Sequence, residues 1–152
     1  MSGINIPIKK AGFPVKIGDV ELWFDDSIES ISDYWIRDEK AKKDLENLYE
    51  RIEKSGLNEV DETNINKDKY DETVALKKEE LRIKYDALLG EGAFQKIYEN
   101  HSDVRELIAI YEPIEEAISR VIVERMESYE AERKKEFESK KEDYLNKKQK
   151  KK

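Results

Sequence analysis

The stretch Tyr85–Tyr98, YDALLGEGAFQKIY, decides how this chain folds. Leu88 and Leu89 close one apolar helix. Gly90 and Gly92 bracket a single residue, and Ala93, Phe94, Ile97 and Tyr98 open a second helix at once. Glycine ends a helix at little cost because it takes positive φ without a Cβ clash. The stretch therefore predicts a tight joint between two helices over a buried floor. Gly90-Glu91-Gly92 also has the outline of a phosphate-cradling loop. No strand precedes it and no Lys-Ser/Thr pair follows, so it is read as the structural joint.

Upstream of the joint, Val74, Leu81, Tyr85 and Leu88 recur at helical spacing and predict a helix over 71–89. Downstream, the apolar residues predict a short helix over 93–99 and a turn at Asn100-His101-Ser102. Ser102 is expected to cap a helix over 103–123, with a broad stripe of Val104, Leu107, Ile108, Tyr111, Ile114, Ile118, Val121 and Ile122. Pro113 lies inside that stripe. It removes one hydrogen bond and crowds the preceding turn, so a kink or break is expected there.

Further out, residues 14–24 read as a β-hairpin. Val15 and Ile17, then Val20, Leu22 and Phe24, alternate with polar or outward residues about a two-residue Gly18-Asp19 loop. Ile4, Ile6 and Ile8 also alternate and are candidates for a third strand, limited by Pro7 and Pro14. A helix over 27–54 follows, capped by Asp26 or Ser27 and ended by Gly56. Its apolar set is Ile28, Ile31, Trp35, Leu45, Leu48, Tyr49 and Ile52. The charged middle, Arg37 to Asp44, is expected to cross solvent. Ser55 to Tyr70 is polar and reads as a linker.

The whole is an α+β chain, mostly α-helical, with an N-terminal hairpin packed on a helical bundle. Residues 1–123 form the main domain. Residues 124–152 form a charged extension that is either helical or disordered. Charged residues make up 43 % of the 152, against about 25 % in an ordinary globular domain. The net charge is −7 and is uneven: from Glu124 onward there are 11 Lys/Arg and 8 Asp/Glu. The body is thus acidic, which disfavours nucleic acid as the main partner. There is no cysteine, hence neither a disulfide frame nor thiol chemistry. The first residues, MSGINIPIKK, lack the apolar run of a signal peptide. No window approaches the roughly 18 apolar residues of a membrane span. A soluble, cytoplasmic protein is expected.

Chemistry-bearing groups are sparse. Glu21, Asp25, Asp26 and Glu29 resemble the carboxylates with which nucleases hold divalent ions. They are better read as a helix N-terminus, where the macrodipole favours acids. His101 is the single histidine, too few for a zinc site, and reads as a turn residue. Lys147 to Lys152 has no interleaved aromatics and reads as a solvated tail. No catalytic, cofactor-binding or metal-ligating residue is assigned. The candidates for a partner interface are Phe94, Ile97, Tyr98, Leu107, Tyr111 and Ile118, with Gly90 and Gly92 as the structural joint.

The order of parts resembles the tail assembly chaperones of long-tailed, siphovirus-type phages of Gram-positive hosts. The likeness is carried by D-x-L-L-G-x-G-A-F-x-x-I-Y from Asp86 to Tyr98, with the hairpin before it and the apolar helix and lysine-rich end after it. The resemblance implies a non-enzymatic protein of the host cytoplasm, absent from the mature virion. It implies binding to the tape measure protein, which it keeps soluble, and recruitment of tail tube subunits. Such proteins are often made in two lengths by a ribosomal frameshift. The implied partners are therefore the tape measure protein and the tail tube protein, the latter through a frameshifted longer form. Self-association is expected through the hairpin edge. The competing expectations are a structural or scaffolding protein of the virion, a small nucleic-acid-binding regulator using the lysine-rich end, and a carboxylate-metal nuclease.

Overall fold

A computed structural model describes residues 3–56, 63 and 65–150. The elements are β1 (Phe13–Ile17), β2 (Val20–Phe24), α1 (Ile28–Ser55), α2 (Lys67–Leu89), α3 (Ala93–Asn100) and α4 (Val104–Lys150). The chain divides into two units, Met1–Pro113 and Ile114–Lys152. The middle of the expected linker, residues 57–62 and 64, lies outside the described residues.

The hairpin forms in the register that alternation demands. Phe13 pairs with Phe24, Val15 with Leu22, and Ile17 with Val20, so all six project to one face. Ile17, Val20 and Phe24 are buried there, and Phe13 stacks on Phe24 at 5.3 Å. β2 packs against α3. Ile4, Ile6 and Ile8 do not add a third strand. Residues 3–11 carry no regular structure, and the three isoleucines stand in solvent. Alternation alone does not make a strand when no backbone partner is paired with it.

α1 starts where its cap chemistry places it. The Ser27 hydroxyl accepts from the Ser30 N–H, and Asp25 Oδ1 accepts from the Ser27 N–H at 2.9 Å. Gly56, at φ 73°, ends the helix. The charged middle does not cross solvent. Ala41 is buried there, and Arg37 Nε donates to the Ala87 carbonyl at 3.2 Å. A small residue among long charged ones lets two helices approach while the charged stems spread around the contact. Ala41 in fact continues the stripe of Leu45, Leu48 and Ile52 at helical spacing. Tyr34 is the buried aromatic, whereas Trp35, expected to face inward, is half exposed.

α2 is the central helix, and it buries two faces. Asn66 caps it, accepting from the Lys69 N–H at 2.9 Å. One face, with Leu76, Ile83 and Ala87, packs against Ala41, Leu45, Leu48 and Ile52 of α1. The helices run antiparallel, since Arg37 meets Ala87 while Tyr49 meets Glu80. The other face carries Leu81, Tyr85 and Leu88, all buried. Tyr85 is fully buried, packs edge-on against Tyr111 of α4 at 5.2 Å, and donates its hydroxyl to the Leu107 carbonyl at 2.6 Å.

Ser102 does not cap α4. Asp103 Oδ1 accepts from the Arg105 N–H at 3.0 Å, while the Ser102 hydroxyl turns back to the Tyr98 carbonyl at 2.8 Å. Each polar side chain closes the nearer helix end. Nor does Pro113 break the helix, which continues as one element to Lys150. Only one backbone bond, that to the Ala109 carbonyl, is forfeited. No helix is long and apolar enough to cross a membrane among the described residues.

The Tyr85 hydroxyl gives a pH test. Burial pushes its pKa up from 10.0 to about 12. Its contribution is complete below pH 10 and is lost as pH rises through about 12. Tyr85→Phe should cost about 1 kcal/mol near neutrality. It should also flatten the loss of stability between pH 10 and 12 that the parent chain shows, read from denaturant midpoints across that range.

Candidate functional site

The joint is built around one carboxylate. Gly90 ends α2 at φ 108°, and Gly92 precedes α3 at φ 86°. A Cβ at either position would meet nothing within 4 Å, so the backbone angle itself is what requires glycine. Gly92 has no side chain with which to cap α3. Asp86, in the last turn of α2, does so instead: its Oδ1 accepts from the Phe94 N–H at 3.0 Å. Its other oxygen lies 3.8 Å from Arg82. The negative charge also lies favourably at the α3 N-terminus. The Asp of the D-x-L-L-G-x-G-A-F stretch is thus the cap for the helix that follows the glycines.

The six interface candidates divide into two kinds. Phe94, Ile97, Leu107 and Ile118 are buried, where a side chain holds the fold and offers a partner little. Tyr98 and Tyr111 are half-buried. Tyr98 stacks on Phe94 at 5.5 Å with Lys78 Nζ 4.3 Å above its ring. Tyr111 rests on Tyr85 with Lys84 Nζ 5.6 Å from its ring. Both tyrosines present one edge to solvent under a lysine from α2. Leu81, Lys84, Ile108 and Tyr111 line a shallow groove between α2 and α4.

Charge around this groove is held in place. Glu80 accepts from the Tyr49 hydroxyl at 3.1 Å and lies 3.1 Å from Lys84 and 3.4 Å from Lys77. Burial alone raises its pKa, but the Lys84 hydrogen bond, the two lysine charges and the Tyr49 hydroxyl together hold it below the usual carboxylate range. Burial, then the Glu80 charge, pushes the Tyr49 phenol up. Arg82 grips Glu79 through two bonds of 2.6 and 3.2 Å, and the hydrogen bond holds the Glu79 carboxyl down. The Glu79 and Glu80 carboxyls therefore stay ionised near neutrality, while the Tyr49 phenol stays protonated.

Further exposed apolar side chains lie on α1. Ile28, Trp35 and Ile36 on α1 are 59, 50 and 65 % exposed. Ile28 and Trp35, seven residues apart, share one face. Sequence periodicity places Ile28 and Trp35 in the apolar set of this helix and leaves Ile36 out of it. The signal that separates them is that Tyr34, not Trp35, falls against the hairpin, its ring 6.4 Å from Phe24.

His101 is more than a turn residue. Its Nε2 accepts from the Asp19 N–H at 3.4 Å, and the imidazole lies under Gly18. A Cβ on Gly18 would come within 2.3 Å of that nitrogen. The hairpin tip is thereby seated on the turn after α3. Asp25, from the acidic cluster, is held below the usual range chiefly by its hydrogen bonds with Ser27. Among the described residues no group of three or more His, Cys, Asp or Glu is placed to hold a metal ion.

Two sets of variants check these assignments. Asp86→Ala should cost about 1–2 kcal/mol through the lost cap, and Asp86→Asn, which keeps an acceptor, should cost less, as read from denaturant midpoints. Gly18→Ala and Gly56→Ala both place a Cβ at positive φ, at a cost of roughly 1 kcal/mol each. Gly18→Ala should cost more, because Gly56 faces open space while Gly18 meets His101. In a His101→Ala background the two should become equal.

No family model, no curated protein and no solved structure matches this chain.

Proposed function

We propose that this chain is a tail assembly chaperone of a long-tailed phage, acting in the host cytoplasm and absent from the mature particle. It binds the tape measure protein, keeps that long helical chain soluble, and helps bring tail tube subunits to it. The reading involves no catalytic step.

The observation that carries it is the outward apolar face of α1. Ile28, Trp35 and Ile36 are each half or more exposed, on a body that is acidic overall. A partner that displays apolar helical stripes before assembly needs an apolar surface to meet them. It also needs enough net charge on the complex to hold it in solution. The stretch from Asp86 to Tyr98 supports the same reading. Within it Asp86 is the cap, the glycines take positive φ, and Phe94 and Ile97 form the floor.

The test is recovery of partners by a tagged copy from infected cells. A very long helical protein, with or without the tube subunit, is expected. Trp35→Asp should lower that recovery at least about tenfold without changing circular dichroism. Recovery of nucleic acid, or of capsid components alone, would replace this function with a regulator or a virion scaffold.

A further inference from the structure

The chain ahead of β1 is an arm with one fixed end. Trp23 Nε1 donates to the Ala11 carbonyl at 2.9 Å, and Lys10 Nζ lies 4.1 Å from the centre of the Trp23 ring. The root of the arm is thus pinned to the outer face of the hairpin. The Asp25 carboxyl is held down chiefly by Ser27, with a smaller part from the Lys10 charge. The root therefore also lies beside the start of α1. Beyond it Ile4, Ile6 and Ile8 are 93, 76 and 93 % exposed.

The arm is built to stay extended. Pro7 fixes its own φ and biases Ile6 toward extended backbone. Extended backbone sends alternate side chains to one side, so the three isoleucines form a single row. A row already held straight loses little freedom when it is covered. Its charge is one-sided, because residues 1–18 carry three Lys and no Asp or Glu.

α1 carries the complement. Ile28, Trp35 and Ile36 are exposed, and at 100° per residue they fall within an arc of about 100°. Ser32 lies inside that arc and is exposed. The charge here is opposite to that of the arm: residues 25–36 carry four Asp or Glu and no Lys or Arg. The lengths also agree. Ile4 to Ile8 spans about 13 Å of extended chain, and Ile28 to Ile36 spans about 12 Å of helix.

We infer that the arm of one copy lies along the α1 face of a second, so that two copies exchange arms. The isoleucine row covers Ile28, Trp35 and Ile36, and Lys9 meets the acids of the first turns of α1. Both surfaces stand exposed within one chain, so the chain does not fill its own seat. Because the arm leaves its root beside α1, a two-fold axis close to that root makes both contacts at once. This joins two copies through the arm, where the hairpin edge was expected to do so. It concerns the free protein and is independent of the tape measure reading, although a partner helix on α1 would have to displace the arm.

The chain has no cysteine, so single cysteines report position. Full-length chains carrying Asn5→Cys are mixed with chains carrying Ser32→Cys and treated with a short thiol cross-linker. A mixed product is expected, together with a dimer in sedimentation at about 100 µM. Ile6→Asp should abolish the mixed product and raise the dimer dissociation constant at least about tenfold, with circular dichroism unchanged. A link that forms only when both cysteines are on one chain would mean that the arm closes on its own α1, and would overturn the inference. So would a dimer that Ile6→Asp leaves intact. A monomer at about 100 µM with no cross-link would overturn it too, and would leave the α1 face to a different protein.

Discussion

The hydrogen bond from the Tyr85 hydroxyl to the Leu107 carbonyl is the point on which the first unit turns. α2 is buried on two faces, and a helix so placed must satisfy any polar group it carries inward. Tyr85 brings the largest fully buried side chain of the core and one polar atom with it. An unpartnered hydroxyl there would carry a desolvation cost comparable to a lost hydrogen bond. Anchoring it to the first turns of α4 satisfies that atom and sets where α4 begins relative to α2. Phe94 and Tyr111 then have a ring to pack on, and α3 has a floor.

Much of this was legible in the residues. The hairpin register, the Ser27 and Gly56 ends of α1, and the glycine joint each follow from a local rule that the surroundings do not override. The failures share a different cause. α2 showed one periodic face and has two, because Ile83 and Ala87 complete a stripe only when Ala41 of another helix is known to approach. Tyr34 and Trp35 are adjacent, and nothing local says which points at Phe24. Asp86 gave no local sign of a capping role, since its partner amide belongs to the next helix. His101 looked idle because the Asp19 amide is 82 residues away. What sequence left unread is tertiary pairing at long range, which leaves no mark on spacing.

The two kinds of apolar surface explain why core and interface were hard to separate. Phe94, Ile97 and Leu107 are apolar because they are covered by their own chain. Ile28, Trp35 and Phe137 are equally apolar and uncovered. In composition they are the same residues at the same helical spacing. The distinction lies in the neighbours. The buried set clusters around Tyr85, whereas the exposed set is embedded in charged sequence that keeps the free chain from coalescing on it.

The Asp86 cap also bears on how this chain tolerates insertion and deletion. One side chain in α2 fixes the second amide of α3 across a three-residue gap. Adding or removing a single residue between Leu89 and Ala93 would turn α3 by about 100°, swinging Phe94 and Ile97 off the floor and carrying the Phe94 amide out of reach. Length variation among relatives is therefore expected to avoid this joint, whatever side chains drift around it. A constant spacing from Asp86 to Phe94 would be a more durable signature of the fold than residue identity.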